Sequence, residues 1–136
     1  MSQIIADEQL NVQRVLLPIQ RWTTALRITS LRPGTVIKDD VIPNLLAQEK
    51  QPTFVTMNIK DFWEPTLRDK RYCIVCMDVP DERQSEIPGL LRRLFRLPMF
   101  KTKANRMGKV VKVNNAGVQY YQLGDEELHS FTVSQR

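Results

Sequence analysis

The sequence predicts an α/β domain with a small, mostly parallel sheet flanked by helices and a β-hairpin at one edge. Residues 72–77 form an apolar run without alternation, which is typical of a strand covered by helices on both faces. Residues 87–95 place their apolar side chains on one helical face, which predicts an amphipathic helix. Two β-rich segments, 109–113 and 118–121, flank turn residues and predict the C-terminal hairpin.

The first half of the chain alternates predicted strands and helices. Apolar residues 3–6 predict a first strand, and residues 53–57 predict a strand after Pro52. Between them, a helix capped by Asn11 and broken at Pro18 precedes a weakly indicated strand at 26–31. A second helix starts at Asp39 or Asp40 and continues to about Lys50. This alternation favours parallel strands joined by crossover helices.

Length and composition are those of one globular domain. The chain has 136 residues, of which 42% are hydrophobic and 26% charged, and we expect one domain over 1–124 with a C-terminal tail at 125–136. No apolar run approaches the roughly 18 residues that span a bilayer, so no membrane association is expected. Cys73 and Cys76 would point to opposite faces of one strand, which argues against a disulfide and fits a reducing cytoplasm.

Positive charge is concentrated in one stretch. Residues 87–124 contain eight Lys or Arg and no Asp or Glu, whereas the whole chain carries +5, which leaves −3 for the remainder. This asymmetry suggests a polyanion partner, although a solvated basic face is the alternative.

Polar oxygen donors follow three of the predicted apolar strands. Asp7 and Glu8 follow the first, Asn58 and Asp61 follow the strand at 53–57, and Asp78 follows the central strand. Asp40, at the start of the second helix, can turn toward the same edge. Taken singly, each is explained as a helix cap, a turn residue or a solubilising charge. Converging carboxylates repel one another unless a hard cation neutralises them, and oxygen-rich sites select Mg²⁺ or Mn²⁺.

Three segments resemble the successive acidic motifs of bacterial PIN-like domains, a group that includes toxin ribonucleases of toxin–antitoxin pairs. They are "IIADEQL" (4–10), "KDDVIPNLLAQ" (38–48) and "FVTMNIKDFW" (54–63). The later segments "YCIVCM", "IPGLLRRLFR" and "GKVVKVNNAGVQYY" are similar to the closing elements of that family. The resemblance therefore covers nearly the whole chain, although its motifs are short.

The resemblance implies a Mg²⁺- or Mn²⁺-dependent phosphodiesterase that hydrolyses RNA. By position it assigns Asp7, Asp40 and Asp61 as metal ligands and Asn58 as a supporting residue. Many PIN-like sequences have a carboxylate at the position of Asn58, so a neutral amide here would hold a cation more weakly. The basic helix face formed by Arg92, Arg93 and Arg96 is predicted to contact RNA phosphates, and Trp63 could stack on a nucleotide.

Two other classes of function remain open from the sequence. One is a catalytically silent PIN-like module that binds nucleic acid or a protein. The other is a small interaction protein whose basic face meets an acidic partner such as an antitoxin. The family resemblance also allows a homodimer.

Overall fold

A seven-stranded sheet forms the centre of the molecule in the computed structural model, which describes residues 3–132. The strands are β1 (Gln3–Ala6), β2 (Thr24–Arg27), β3 (Pro52–Thr56), β4 (Cys73–Met77), β5 (Lys109–Val113), β6 (Gly117–Gln122) and β7 (His129–Thr132). Their order is β2-β1-β3-β4-β5-β6-β7. Neighbours from β2 to β5 pair in parallel, and β6 and β7 add an antiparallel edge. The predicted fold class is confirmed, with β4 at the centre of the sheet.

Five short helices connect the strands, together with single 3₁₀ turns. They are α1 (Leu17–Gln20), α2 (Ile42–Ala47), α3 (Ile59–Phe62), α4 (Ile87–Leu94) and α5 (Lys103–Arg106). The predicted broken helix is a π-helical segment, Val12–Leu16, followed directly by α1. Asn11 caps this segment by accepting a hydrogen bond from the amide of Arg14 at 2.8 Å, as predicted. No helix within residues 3–132 is long and apolar enough to cross a membrane.

The sheet has two apolar faces, each covered by different helices. On the first, which we call the α4 face, residues of α1 and α4 such as Ile19 and Leu91 pack with Ile4, Val55 and Val75. On the second, the α2 face, α2 and α3 pack on the alternate strand residues Ile5, Phe54, Ile74 and Cys76. Every residue of β3 and β4 is buried, because both faces are covered.

The two crossover connections beside β1 cover opposite faces of the sheet. Helix α1 links β1 to β2 on the α4 face, and α2 links β2 to β3 on the α2 face. The chain therefore changes direction between β1 and β3, and crevices for ligands form at such switch points beyond the carboxyl ends of the strands. In this molecule those ends are Ala6 and Thr56.

Two boundaries differ from the sequence prediction. Strand β2 ends at Arg27, and residues 28–31 of the predicted strand form a 3₁₀ turn. The predicted tail at 125–136 contains β7, whose Phe131 lies opposite Val118 of β6 and packs on the α4-face core. The sheet therefore continues past residue 124, because a half-buried aromatic ring and a hydrogen-bonded ladder hold this segment. The rest of that tail, residues 133–136, lies outside the described residues.

Candidate functional site

Asp7 occupies the carboxyl end of β1 at the switch point. Its side chain is only 3% exposed. One carboxylate oxygen accepts a hydrogen bond from the Glu8 amide at 2.8 Å, and the other accepts one from the Thr56 hydroxyl at 2.6 Å. Burial raises the pKa of Asp7, and the charges of Asp39 and Glu8 raise it further, whereas the two hydrogen bonds oppose the shift. Asp7 thus ties the end of β1 to the end of β3.

Asn58 links the buried pair to the surface carboxylates. Its backbone N–H donates to the Thr56 hydroxyl oxygen at 3.0 Å. Its side-chain oxygen caps α3 by accepting a hydrogen bond from the backbone N–H of Asp61 at 3.2 Å. The side-chain nitrogen donates both to Asp39, at 2.8 Å, and to Asp61, at 2.9 Å. The side-chain amide of Asn58 therefore lies between the carboxylates of Asp39 and Asp61.

The surroundings of Asp39 disfavour the ionised form of its carboxyl group. Burial raises its pKa, and the nearby carboxyl group of Asp61 and the charge of Glu8 raise it further, against the hydrogen bond from Asn58. Asp39 and Asp61 open onto a cleft of about 490 Å³, which is also lined by Asp40 and Phe62. The acidic cluster, defined here as Asp7, Asp39, Asn58 and Asp61, can attract a cation or a group that donates hydrogen bonds.

The structure places Asp39, and not the predicted ligand Asp40, in contact with Asn58. The exposed Asp40 lines the cleft but makes no hydrogen bond to the cluster within the described part of the chain, and Asp39 occupies the place expected for it. Successive residues of a 3₁₀ turn point about a third of a turn apart, so only one of the pair can face Asn58. Which of the two does so is decided by packing.

The predicted triad of Asp7, Asp40 and Asp61 is not assembled as three direct ligands. Among residues 3–132, no three His, Cys, Asp or Glu side chains are grouped so that they could hold a metal ion. The physical reason is that the oxygens of Asp7 face inward, where Thr56 and the Glu8 amide already donate to them. Asp78, at the end of β4, is exposed and makes no hydrogen bond to the cluster among the described residues.

The predicted RNA-binding arginines lie on the other side of the sheet. Helix α4 packs on the α4 face, whereas Asp39 and Asp61 belong to segments on the α2 face. The guanidinium of Arg92 lies 5.8 Å from the centre of the Trp22 ring, and Arg93 borders a small hollow beside Val113. Arg92, Arg93 and Arg96 therefore do not flank the acidic cluster, and their role in binding RNA stays a prediction for a separate surface.

Two of the eight Lys and Arg side chains in residues 87–124 are buried within the fold. Arg106 is 1% exposed, with its guanidinium donating to the Thr53 hydroxyl oxygen at 3.2 Å and to the Phe100 carbonyl at 3.0 Å. Lys109 is 9% exposed and donates from its ammonium group to the Asn105 carbonyl. Neither side chain is available to a polyanion, so the basic surface is smaller than the sequence suggests.

Sequence reasoning did not assign a role to Thr56 or Arg27. The hydroxyl of Thr56 joins Asp7 to Asn58, and the Thr-x-Asn spacing at the end of a strand is the signal for it. Arg27, at the end of β2, donates to the Glu8 carbonyl at 2.9 Å, and its buried Nε atom has no hydrogen-bond partner among the described residues. It brings a positive charge to the acidic end of the sheet.

No protein-family model, no curated protein and no solved structure matches the chain.

Proposed function

We propose that this protein is a metal-dependent endoribonuclease of the PIN-like kind, and that an antitoxin protein is its cognate partner, as the resemblance implies. The observation that carries the proposal is the acidic cluster at the switch point, where Asp39 and Asp61 share the amide of Asn58 above the buried Asp7. Carboxylates held close together at the mouth of a crevice are arranged to bind a hard cation and a phosphate.

The donor set fits Mg²⁺ or Mn²⁺ in a site that the substrate completes. Magnesium sites commonly use one or two protein carboxylates together with substrate phosphates and water. Asp39 and Asp61 are the two that would hold the ion, because both open onto the cleft. When bound, the ion supplies an activated water and neutralises charge on the phosphate.

The remaining residues of the cluster position these two carboxylates. Asp7 and Thr56 fix the start of the segment that carries Asn58, and Asn58 then caps α3 and orients Asp61. The Asn58 side-chain nitrogen now donates to both Asp39 and Asp61, so an ion held by these carboxylates would replace those two hydrogen bonds. Arg27, beside Glu8, offsets part of the negative charge and can contact a phosphate.

The test compares two neighbouring aspartates that receive the same substitution. Asp39→Asn should abolish Mn²⁺-dependent cleavage of a single-stranded RNA, because it removes a proposed ligand. Asp40→Asn is the matched control and should cleave at close to the wild-type rate, since Asp40 lines the same cleft but makes no hydrogen bond to the cluster among the described residues. Equal loss in both variants, or full activity of Asp39→Asn, would reject this ligand set.

Metal-free stability gives a second readout of the same variant. Because the pKa of Asp39 is raised in the fold, its ionised form is disfavoured there, and Asp39→Asn should leave the melting temperature at pH 7 unchanged or raised. Any gain should shrink as the pH falls through the raised pKa of the folded state, and it should be absent below the ordinary aspartate value of about 3.9, where the wild-type group is protonated in both states. A melting temperature that falls by many degrees would make Asp39 a structural residue.

A second candidate is a catalytically silent module that binds RNA. Asn58 favours it, because its side chain already satisfies both carboxylates without an ion. The two candidates differ in the effect of Mn²⁺ on melting: a nuclease is stabilised by it, and a silent module is not. Asn58→Asp should lower stability without metal, through like-charge repulsion, and should increase the Mn²⁺-dependent rise in melting temperature.

A further inference from the structure

The last three strands present two chemically different faces. Toward the α4 face they bury Val111 and Val118, and Phe131 packs on the same core. On the opposite face, Lys112, Gln119 and Ser130 stand side by side across β5, β6 and β7, because Lys112 pairs with Gln119 and Gln119 pairs with Ser130. This second face belongs to the same side of the sheet as α2 and α3.

A hollow opens on this polar face. It has a volume of about 310 Å³ and is lined by the polar side chains of Lys112, Asn114, Gln119, Ser130 and Thr132, together with four residues that carry no polar side chain. Its lining contains one cation and no carboxylate. A surface that combines one ammonium group, neutral hydrogen-bonding groups and some apolar area is complementary to a phosphate-linked chain with polar, planar bases.

An aromatic pair lies beside Lys112, which lines the hollow. The ring centres of Trp63 and Tyr121 lie 5.0 Å apart, and the ammonium group of Lys112 lies 5.3 Å from the centre of the Trp63 ring. Lys112 therefore joins the aromatic pair to the hollow. Both rings are only half-buried, so part of their surface is available to a stacking partner.

This surface adjoins the acidic cluster. Trp63 directly follows α3, which carries Asp61, and Lys112 is the penultimate residue of β5. Both therefore lie near the carboxyl edge of the parallel strands. Strand β5 is two positions from β3 in the sheet, which corresponds to about 10 Å at the usual strand spacing. A polynucleotide with one phosphate in the cleft would reach the hollow within a few nucleotides.

We propose that the polar face of β5–β7, together with Trp63 and Tyr121, binds the single-stranded RNA segment next to the cleaved phosphate. Bases stack on the aromatic pair, Lys112 contacts a phosphate, and Gln119 and Ser130 donate and accept hydrogen bonds. A single strand is favoured over a duplex because its bases are free to stack. The choice of RNA rests on the proposed function, but the surface is tested by binding alone.

The experiment measures fluorescence anisotropy of a labelled single-stranded RNA in EDTA, so that cleavage cannot contribute. Ser130→Glu places a negative charge in the hollow at an exposed position and should weaken binding roughly tenfold. Ser30→Glu, at an exposed position outside the hollow, is its matched control and should bind like the wild type. Lys112→Ala should reduce the slope of log affinity against log salt by about 0.7, as expected for one lost phosphate contact.

The aromatic contribution has its own pair of variants. Trp63→Leu should weaken binding roughly ten- to a hundredfold through loss of base stacking, whereas Trp22→Leu, on the α4 face, should not. If Trp63→Leu fails to fold, Tyr121→Leu tests the same stacking surface. Circular dichroism melting identifies a variant that fails to fold.

Several results would overturn the proposal. They are wild-type binding by both Ser130→Glu and Lys112→Ala, a loss of affinity in Arg93→Ala that exceeds theirs, and competition by polyglutamate as strong as that by unlabelled RNA. Failure of the nuclease proposal would look different. In that case the binding changes above would appear, but neither the wild type nor any variant would cleave RNA when Mn²⁺ is added.

Discussion

The inner strands β3 and β4 and the outer strands β6 and β7 belong to one sheet but differ in burial. Every residue of β3 and β4 is buried, whereas β7 alternates between half-buried and exposed residues and β6 buries only Val118. The inner strands carry apolar side chains on both faces, and the outer strands alternate apolar and polar ones. Helices cover both faces of the first pair, which explains the difference.

The comparison indicates how the two regions would contribute to the proposed nuclease. At the end of a strand buried on both faces, Thr56 and Asn58 are held by a rigid scaffold, and the carboxylates they contact are positioned before any ligand arrives. The outer strands instead leave one polar face free, where a chain can bind over a larger area. Three predictions test this contrast.

Thiol labelling should show the largest difference between the two regions. Cys73 and Cys76 of β4 are fully buried, and burial raises the pKa of the Cys73 thiol to about 12. Both should react only through unfolding, whereas a thiol introduced by Ser130→Cys in β7 should react freely. With a stability of about 5 kcal/mol, the ratio of rates would exceed roughly 10³. Ellman's reagent in native buffer measures it, and fast reaction of the native thiols would contradict the burial of β4.

Truncation of a phenylalanine should cost more in the inner strands than in the outer ones. Phe54 of β3 is fully buried and packs against Phe62 with ring centres 5.2 Å apart. Phe54→Ala should lower the free energy of unfolding by about 3–5 kcal/mol. Phe131→Ala, in the half-buried β7, should lower it by less than half of that amount. Urea denaturation of both variants measures the difference, and equal losses would mean that β7 is part of the central core.

Replacement of the buried arginine should have the smallest of the three effects. In Arg106→Lys, an ammonium group cannot reproduce the guanidinium contacts with Thr53 and Phe100, so stability should fall by roughly 2 kcal/mol. Arg96→Lys, at an exposed position, should change stability by less than about 0.5 kcal/mol. Since Arg106 is enclosed, its replacement should leave the salt dependence of RNA binding unchanged. A changed salt slope would indicate that Arg106 contacts the nucleic acid.

The elements predicted correctly are those with strong local signals. The continuous apolar run of β4, the amphipathic pattern of α4 and the turn residues between β5 and β6 each appear at the expected place. Strand β2 was displaced by a few residues because its signal was weak. Strand β7 was not predicted, because its four residues form no clear strand pattern and its place in the sheet depends on pairing with β6.

Sequence alone determined the α/β class, the position of the central strand and the edge of the sheet at which polar oxygens collect. These follow from local chemistry, since apolar runs, caps and strand ends are properties of short segments. Tertiary structure decided the rest: Asp39, and not Asp40, accepts a hydrogen bond from Asn58, the oxygens of Asp7 point inward, and α4 lies across the sheet from the acidic cluster. Such outcomes depend on which face a helix covers and which side chain a neighbour contacts, and only the packed chain specifies them.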